Sequence, residues 1–148
     1  MKKVAVILAD GFEEIEALTS VDVLRRAGAI ASIASLKDVQ IRGAHNISVK
    51  ADVTLREVKE LGYDAIVLPG GLPGAENLAN DAKLREILQE FDKKGKLICA
   101  ICAAPMVLER ARVLKEHFVC YPGFEENVRS DKRGYVSDKN VLKDQNII

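Results

Sequence analysis

The residue best placed to do chemistry is Cys102. A short apolar run, Lys96-Leu97-Ile98-Cys99-Ala100-Ile101, leads into it. Small residues and a proline follow, Ala103-Ala104-Pro105, and Met106 to Ala111 carries a helical pattern. A cysteine at such a strand-to-helix turn sits beside unpaired backbone N–H groups, which favour the thiolate and hence nucleophilic or redox chemistry. The same sharp turn presents the nucleophile at the edge of an α/β sheet in elbow enzymes. The competing reading of any cysteine in an apolar segment is a small buried hydrophobe. That reading stands for Cys99 and Cys120, whereas the turn context favours chemistry at Cys102. Cys99 and Cys102 form a C-x-x-C, but a zinc site needs about four ligands, and neither His45 nor His117 lies at ligand spacing. A redox pair of the thioredoxin type has the same spacing, yet Cys99 falls inside the predicted strand and is expected to be packed.

Two further groups converge on this cysteine. Glu13, Glu14 and Glu16 open a helical pattern. Acids in a first turn favour the helix dipole and usually face water, but three of them cannot all point one way, so one can face a crevice. An ionised carboxyl beside Cys102 would raise the thiol pKa, whereas a protonated one would donate a hydrogen bond to the sulfur and stabilise the thiolate. Leu68-Pro69-Gly70-Gly71-Leu72-Pro73-Gly74 is a glycine-rich turn. It is a weak match to a phosphate cradle, having no following Lys, and it can also be a plain tight turn. Its position suits N–H groups that stabilise an oxyanion beside a nucleophile. Histidine, the usual base for a cysteine, is not adjacent: His45 falls in a hairpin loop, as a surface or interface residue, and His117 closes a helix.

The elements that must position these groups are legible from periodicity. Val4–Leu8 and Ala65–Leu68 are continuous apolar runs, as in strands buried on both faces. Glu13 to Ala27 carries Ile15, Leu18, Val21, Val23 and Leu24 near helical spacing and stops at Gly28. Ile30 to Leu36 reads as a strand. Val39–Ile41 and Ile47–Val49 flank a hairpin turn, and Thr54 to Leu61 forms a short helix or turn. Asp81 to Lys94 is an amphipathic helix with Leu84, Ile87, Leu88 and Phe91 on one stripe, ended by Gly95. Segments 119–124 have turn character, 134–136 and 140–142 read as short strands, and Asn146-Ile147-Ile148 as the start of another. Alternating strands and helices predict a mostly parallel, doubly wound sheet, with its crevice outside the carboxyl ends of the strands. Three loops should meet there: Ala9 to Phe12, Pro69 to Gly74, and Cys102.

Composition narrows the function classes. The 148 residues fit one domain, and 22 basic against 22 acidic side chains give zero formal net charge. Neither nucleic acid nor an anionic membrane is favoured as partner. No run approaches the roughly 20 apolar residues of a membrane span. The N-terminal apolar run is short and meets Asp10 at once, unlike a signal peptide. Three cysteines, an odd number, fit free thiols in a reducing cytoplasm.

Four stretches together resemble the ThiJ/PfpI superfamily, in the branch containing the parkinsonism-associated protein DJ-one. They are Val6 to Glu16, Val21 to Gly28, Leu68-Pro69-Gly70-Gly71, and Ala100-Ile101-Cys102-Ala103-Ala104-Pro105. The resemblance implies a flavodoxin-like three-layer α/β/α sandwich that forms a homodimer and needs no metal or other cofactor. It implies that Cys102 is the reactive cysteine, that Glu16 is the protonated glutamate bonded to it, and that the Gly71 and Ala103 amides form the oxyanion pocket. Gly70, Tyr121 and Arg26 complete the binding set, with Arg26 and Arg42 near the pocket and dimer interface. Ala103 replaces the histidine of family proteases and argues against peptidase activity. Tyr121 before Pro122 stands where the family carries a pocket histidine; a phenol is a poor base near neutral pH, so proton transfer falls to Glu16. The family continues past residue 148 with a Gly/Pro-rich loop and a long helix, so residues 1–148 read as a single domain without them. Family activities imply a cysteine-dependent glyoxalase or deglycase acting on methylglyoxal or its adducts, with a redox-sensing chaperone without turnover as the alternative.

Overall fold

A computed structural model describes residues 1–148. Five parallel strands form the central sheet: β1 (Lys3–Leu8), β2 (Ile30–Ser35), β5 (Val53–Thr54), β6 (Ala65–Leu68) and β7 (Leu97–Ala100), in the order β5-β2-β1-β6-β7. A separate antiparallel hairpin pairs β3 (Gln40–Arg42) with β4 (Ser48–Lys50). The helices are α1 (Glu14–Arg26), α2 (Leu55–Glu60), α3 (Gly74–Asn80), α4 (Ala82–Lys93), α5 (Pro105–Arg110) and α6 (Glu125–Val128). The chain is a flavodoxin-like sandwich with helices on both faces of the sheet.

The two faces follow from the two-residue alternation of strands. Ala5, Ile7 and Ala9 of the first strand and loop point into a large core shared with α2–α5, whereas Val6 and Leu8 point into a smaller one with Phe12, Ala17 and Val21. The predicted stripe of α4 is the buried one, and the Asp81 side chain caps its start by accepting from the Leu84 amide at 2.8 Å. For α1 the expected stripe is buried only in part: Val21 is in the core and Leu18 and Leu24 are half-buried, but Ile15 and Val23 are 71% and 55% exposed, and Glu14 and Ala17 face inward in their place. The short Ala17 lets α1 lie close on the sheet, and this rotation turns its first-turn acids toward the loops.

The C-terminal region departs from expectation. Residues 134–136 and 140–142 are not strands; Tyr135 makes only an isolated bridge with Phe118. Side-chain hydrogen bonding replaces the ladder. Arg129, absent from the sequence-based reading, pairs its Nε with Glu109 of α5 at 2.9 Å and donates to the Lys115, Glu116 and Arg133 carbonyls at 2.7, 3.0 and 3.1 Å. Its guanidinium also lies over the Phe118 ring. Asn146–Ile148 does run along the open edge of β7, exchanging backbone hydrogen bonds with Ile98 and Ala100.

Candidate functional site

Cys102 follows β7 directly and has φ +61, a left-handed conformation uncommon for a residue with a side chain. The Ile101 amide bonds back to Leu68 O at 3.2 Å, which ties the turn to the end of β6. Such locally strained backbone persists only where its surroundings hold it. Here they do so from three sides, because loops from the ends of β1, β6 and β7 converge as the parallel sheet requires.

The glycine loop is held against the loop after β1. Glu13 N–H donates to Gly70 O at 2.9 Å, and Gly74 N–H donates to Gly11 O at 3.1 Å. A side chain at Gly70 would lie 2.8 Å from Cys102 Cβ, 2.9 Å from Ala103 N and 2.9 Å from Glu16 Oε2. Position 70 must therefore be glycine for the elbow and the glutamate to approach each other. Gly71, at φ +87, abuts the Glu13 amide and Gly11 O in the same way. These are the close approaches of a site wall rather than of a free turn.

Glu16 reaches this wall from α1. Its Oε2 accepts from the Gly70 amide at 2.7 Å, and its carboxyl lies beside the Cys102 side chain across the space that Gly70 leaves open. Burial pushes the thiol pKa up, and the negative charge and hydrogen bond of Glu16 push it further. Hydrogen bonds from the Ala103 and Gly71 amides act the other way, toward the thiolate. Helix α5 has only six residues, so these two local amides, more than a long helix dipole, favour negative charge on the sulfur. Cys102, Glu16, Gly70, Gly71 and Ala103 thus lie together.

One member of the expected set lies elsewhere, and another is beside the site but largely exposed. Arg26 is in the last turn of α1, about 15 Å along the helix from Glu16 at the standard rise. It is paired with Asp22 at 2.9 Å and largely exposed, so within this chain it does not reach the pocket. Ten residues of helix separate the two side chains, and no bend brings them together. Tyr121 is beside Cys102 through its backbone, its N–H donating to Cys102 O at 3.0 Å, but the residue is 63% exposed. Arg42 lies on the hairpin, its N–H bonded to Asp10 Oδ1. The C-x-x-C is divided by the sheet: Ile98 points into the large core, so Cys99 points to the opposite face.

Glu14 was not legible as a structural group. It is 5% exposed, and its Oε1 accepts from the His45 and Ile47 amides at 2.7 and 3.4 Å while Oε2 meets His45 Nδ1 at 2.9 Å. Burial raises its pKa, but hydrogen bonds from the His45 ring, its own amide and the His45 and Ile47 amides outweigh this and bring it to about 2. The His45 pKa is raised, by the hydrogen bond to Glu14 and then by the charges of Glu13 and Glu14. The signal for this lock is Gly43, where any side chain would overlap the Glu14 carboxyl. Glu13, Glu14 and His45 bring potential metal-ligand atoms within 4.8 Å of one another, but both Glu14 oxygens already accept protein donors. A separate polar depression of about 370 Å³, lined by Asp10, Ser35, Lys37 and Asn77 among others, lies at the ends of β1 and β2, and Cys102 does not line it.

Comparisons with known proteins find related sequences and structures over nearly the whole chain. The DJ-1/PfpI family model matches residues 2–148. "Protein dj-1beta" of Drosophila melanogaster is 36% identical over 149 residues, covering 99% of this chain and 79% of the relative. Its crystal structure superposes with a TM-score of 0.93, covering 99% of this chain and 79% of that one at 35% identity. "Glutathione-independent glyoxalase DJR-1.2" of Caenorhabditis elegans is 33% identical over 133 residues, 90% of this chain and 71% of the relative. No helix is long and apolar enough to cross a membrane.

Proposed function

The chain belongs to the DJ-1/PfpI family, and on that premise we propose that it is a cysteine-dependent, cofactor-independent glyoxalase converting methylglyoxal to lactate. The observation that carries this reading is the convergence of Glu16 and the Gly71 and Ala103 amides on the Cys102 sulfur at a strained elbow. Glu16 takes the Cys102 thiol proton as the sulfur attacks the aldehyde carbon, forming a C–S bond, and the displaced π electrons become an oxyanion that backbone N–H groups stabilise. Proton return from Glu16 gives a hemithioacetal. Glu16 then removes the C1 hydrogen as a proton and delivers it to C2, while the C1 hydroxyl proton passes to the C2 oxygen. The product is a lactoyl thioester, which water hydrolyses to lactate and free thiol. The overall change adds one water and needs no oxidant or reductant. Similarity to the worm protein named a glutathione-independent glyoxalase supports the substrate class.

The same reading places the protein in a reducing cytoplasm as a homodimer. Ile15, Val23 and Ile47 are apolar side chains left in water, and Ile15 and Val23 lie on one face of α1, which a second copy would cover. The decisive experiment is lactate formation from methylglyoxal by the purified protein and by Cys102→Ala. Turnover should fall at least about 10³-fold in the variant, with its circular dichroism unchanged. Equal turnover in both proteins would sink the reading.

A further inference from the structure

We propose that Cys120 is a resolving cysteine for Cys102: oxidation of Cys102 by a hydroperoxide is captured as a reversible Cys102–Cys120 disulfide. This rests on Cys102 being the reactive thiol of the site above, but not on the identity of the carbonyl substrate. The carrying observation is the backbone hydrogen bond from Tyr121 N–H to Cys102 O at 3.0 Å. Standard peptide dimensions through that bond put the Cys102 and Cys120 Cα atoms within about 8 Å at full extension, and closer when the path bends. Disulfides bridge Cα atoms about 4.4–6.8 Å apart. Both side chains are partly buried against the same core, so they lie on the same side of the sheet. Cys99, nearer in sequence, is separated from both by the sheet.

The chemistry balances in two steps. The Cys102 thiolate attacks the outer peroxide oxygen and the O–O bond breaks. Sulfur is oxidised to the sulfenic acid, and the leaving alkoxide or hydroxide takes a proton. The Cys120 sulfur then attacks the Cys102 sulfur. The S–S bond forms, the S–OH bond breaks, and hydroxide leaves as water with the Cys120 proton. A dithiol reductant later restores both thiols. The resting protein keeps Cys120 quiet: burial, then the charges of Glu125 and Cys102, push its thiol up to about 11. Conversion of Cys102 to a neutral sulfenic acid removes the last of these influences, so Cys120 becomes easier to ionise only after its partner is oxidised.

The test treats the reduced full chain with a small excess of hydrogen peroxide, enough to supply two oxygen atoms per protein, blocks remaining thiols with an alkylating reagent in denaturant, and maps peptides by mass spectrometry. The wild type should yield a Cys102–Cys120 peptide pair lighter than its sum by two hydrogens, within one chain on a non-reducing gel and lost on dithiol treatment. Cys120→Ser should instead carry two added oxygens on Cys102, as sulfinate. Wild-type sulfinate at Cys102 with Cys120 still alkylated, or a Cys102–Cys99 pair, overturns this inference while leaving Cys102 the reactive thiol. Cys102 still alkylated in both proteins overturns the reactive-thiol reading as well. Because the readout is mass, failure of methylglyoxal turnover is scored separately.

Discussion

Two carboxylates two residues apart on the first turn of α1 have opposite surroundings. Glu14 faces the hairpin and Glu16 faces the elbow. Glu14 is enclosed, and its oxygens are satisfied by two backbone amides and an imidazole, so its charge is fixed and its work is structural. Glu16 has one backbone donor, the Gly70 amide, and a thiol as its other neighbour, so its oxygens are not saturated by protein donors. The difference shows that a carboxyl becomes a lock when donors saturate it, whereas one with a single backbone donor beside a thiol is the one the proposed mechanism can use.

Exchanging the carboxyl for an amide at each position should break the comparison in opposite ways. Glu16→Gln keeps an acceptor for the Gly70 amide but cannot carry the proton. It should lower kcat for methylglyoxal roughly 10²–10⁴-fold, with a melting temperature near that of the wild type. Steady-state kinetics alongside calorimetry would test this; a variant that loses stability and keeps turnover would reverse the roles assigned here. Glu14→Gln should do the converse. It weakens charge-assisted hydrogen bonds to His45 and Ile47, which should cost about 1–3 kcal/mol in urea unfolding, with turnover within about threefold of wild type.

A smaller effect is expected from pH. Folded Glu14 titrates near 2 against an ordinary 4.5, so the unfolded chain takes the proton first. Its contribution is full above pH 4.5 and is lost as the pH falls toward 2. His45 is shifted the other way, above 6.5; its contribution is full below 6.5 and fades as the pH rises through the folded value. Hydrogen bonding between the two should therefore stabilise most between about pH 4.5 and 6.5. His45→Ala should produce the smallest shift in midpoint of these variants and should flatten the alkaline side of the stability profile. An unchanged alkaline slope in that variant would show that the imidazole contributes nothing to the lock.

Much of the architecture is legible in the sequence. Apolar runs, the α4 stripe and the glycine stops are short-range patterns, and β1, β6, β7 and α4 form where they predict. The C-terminal region was misread because residues 134–136 and 140–142 have strand-like composition but no sheet edge to join. Arg129 instead orders the loop through carbonyls spread across 115–133, a pattern with no local periodicity. Helix α3 escaped because its first residue, Gly74, is chosen for its close approach to the loop after β1 rather than for helix propensity.

The sequence by itself determined that a cysteine would stand at an elbow, that a glycine loop would pass beside it and that acids would start the first helix. Those are consequences of turn chemistry and periodicity, which act over a few residues. Only the tertiary structure decided which acid meets the thiol, because successive helical positions differ by about 100° and the rotation of α1 is set by packing of Ala17 and Val21 against the sheet. It also placed Arg26 at the distant end of that helix and brought Cys120 beside Cys102 across eighteen residues of chain. Those pairings depend on long-range closure, for which the linear spacing carries no signal.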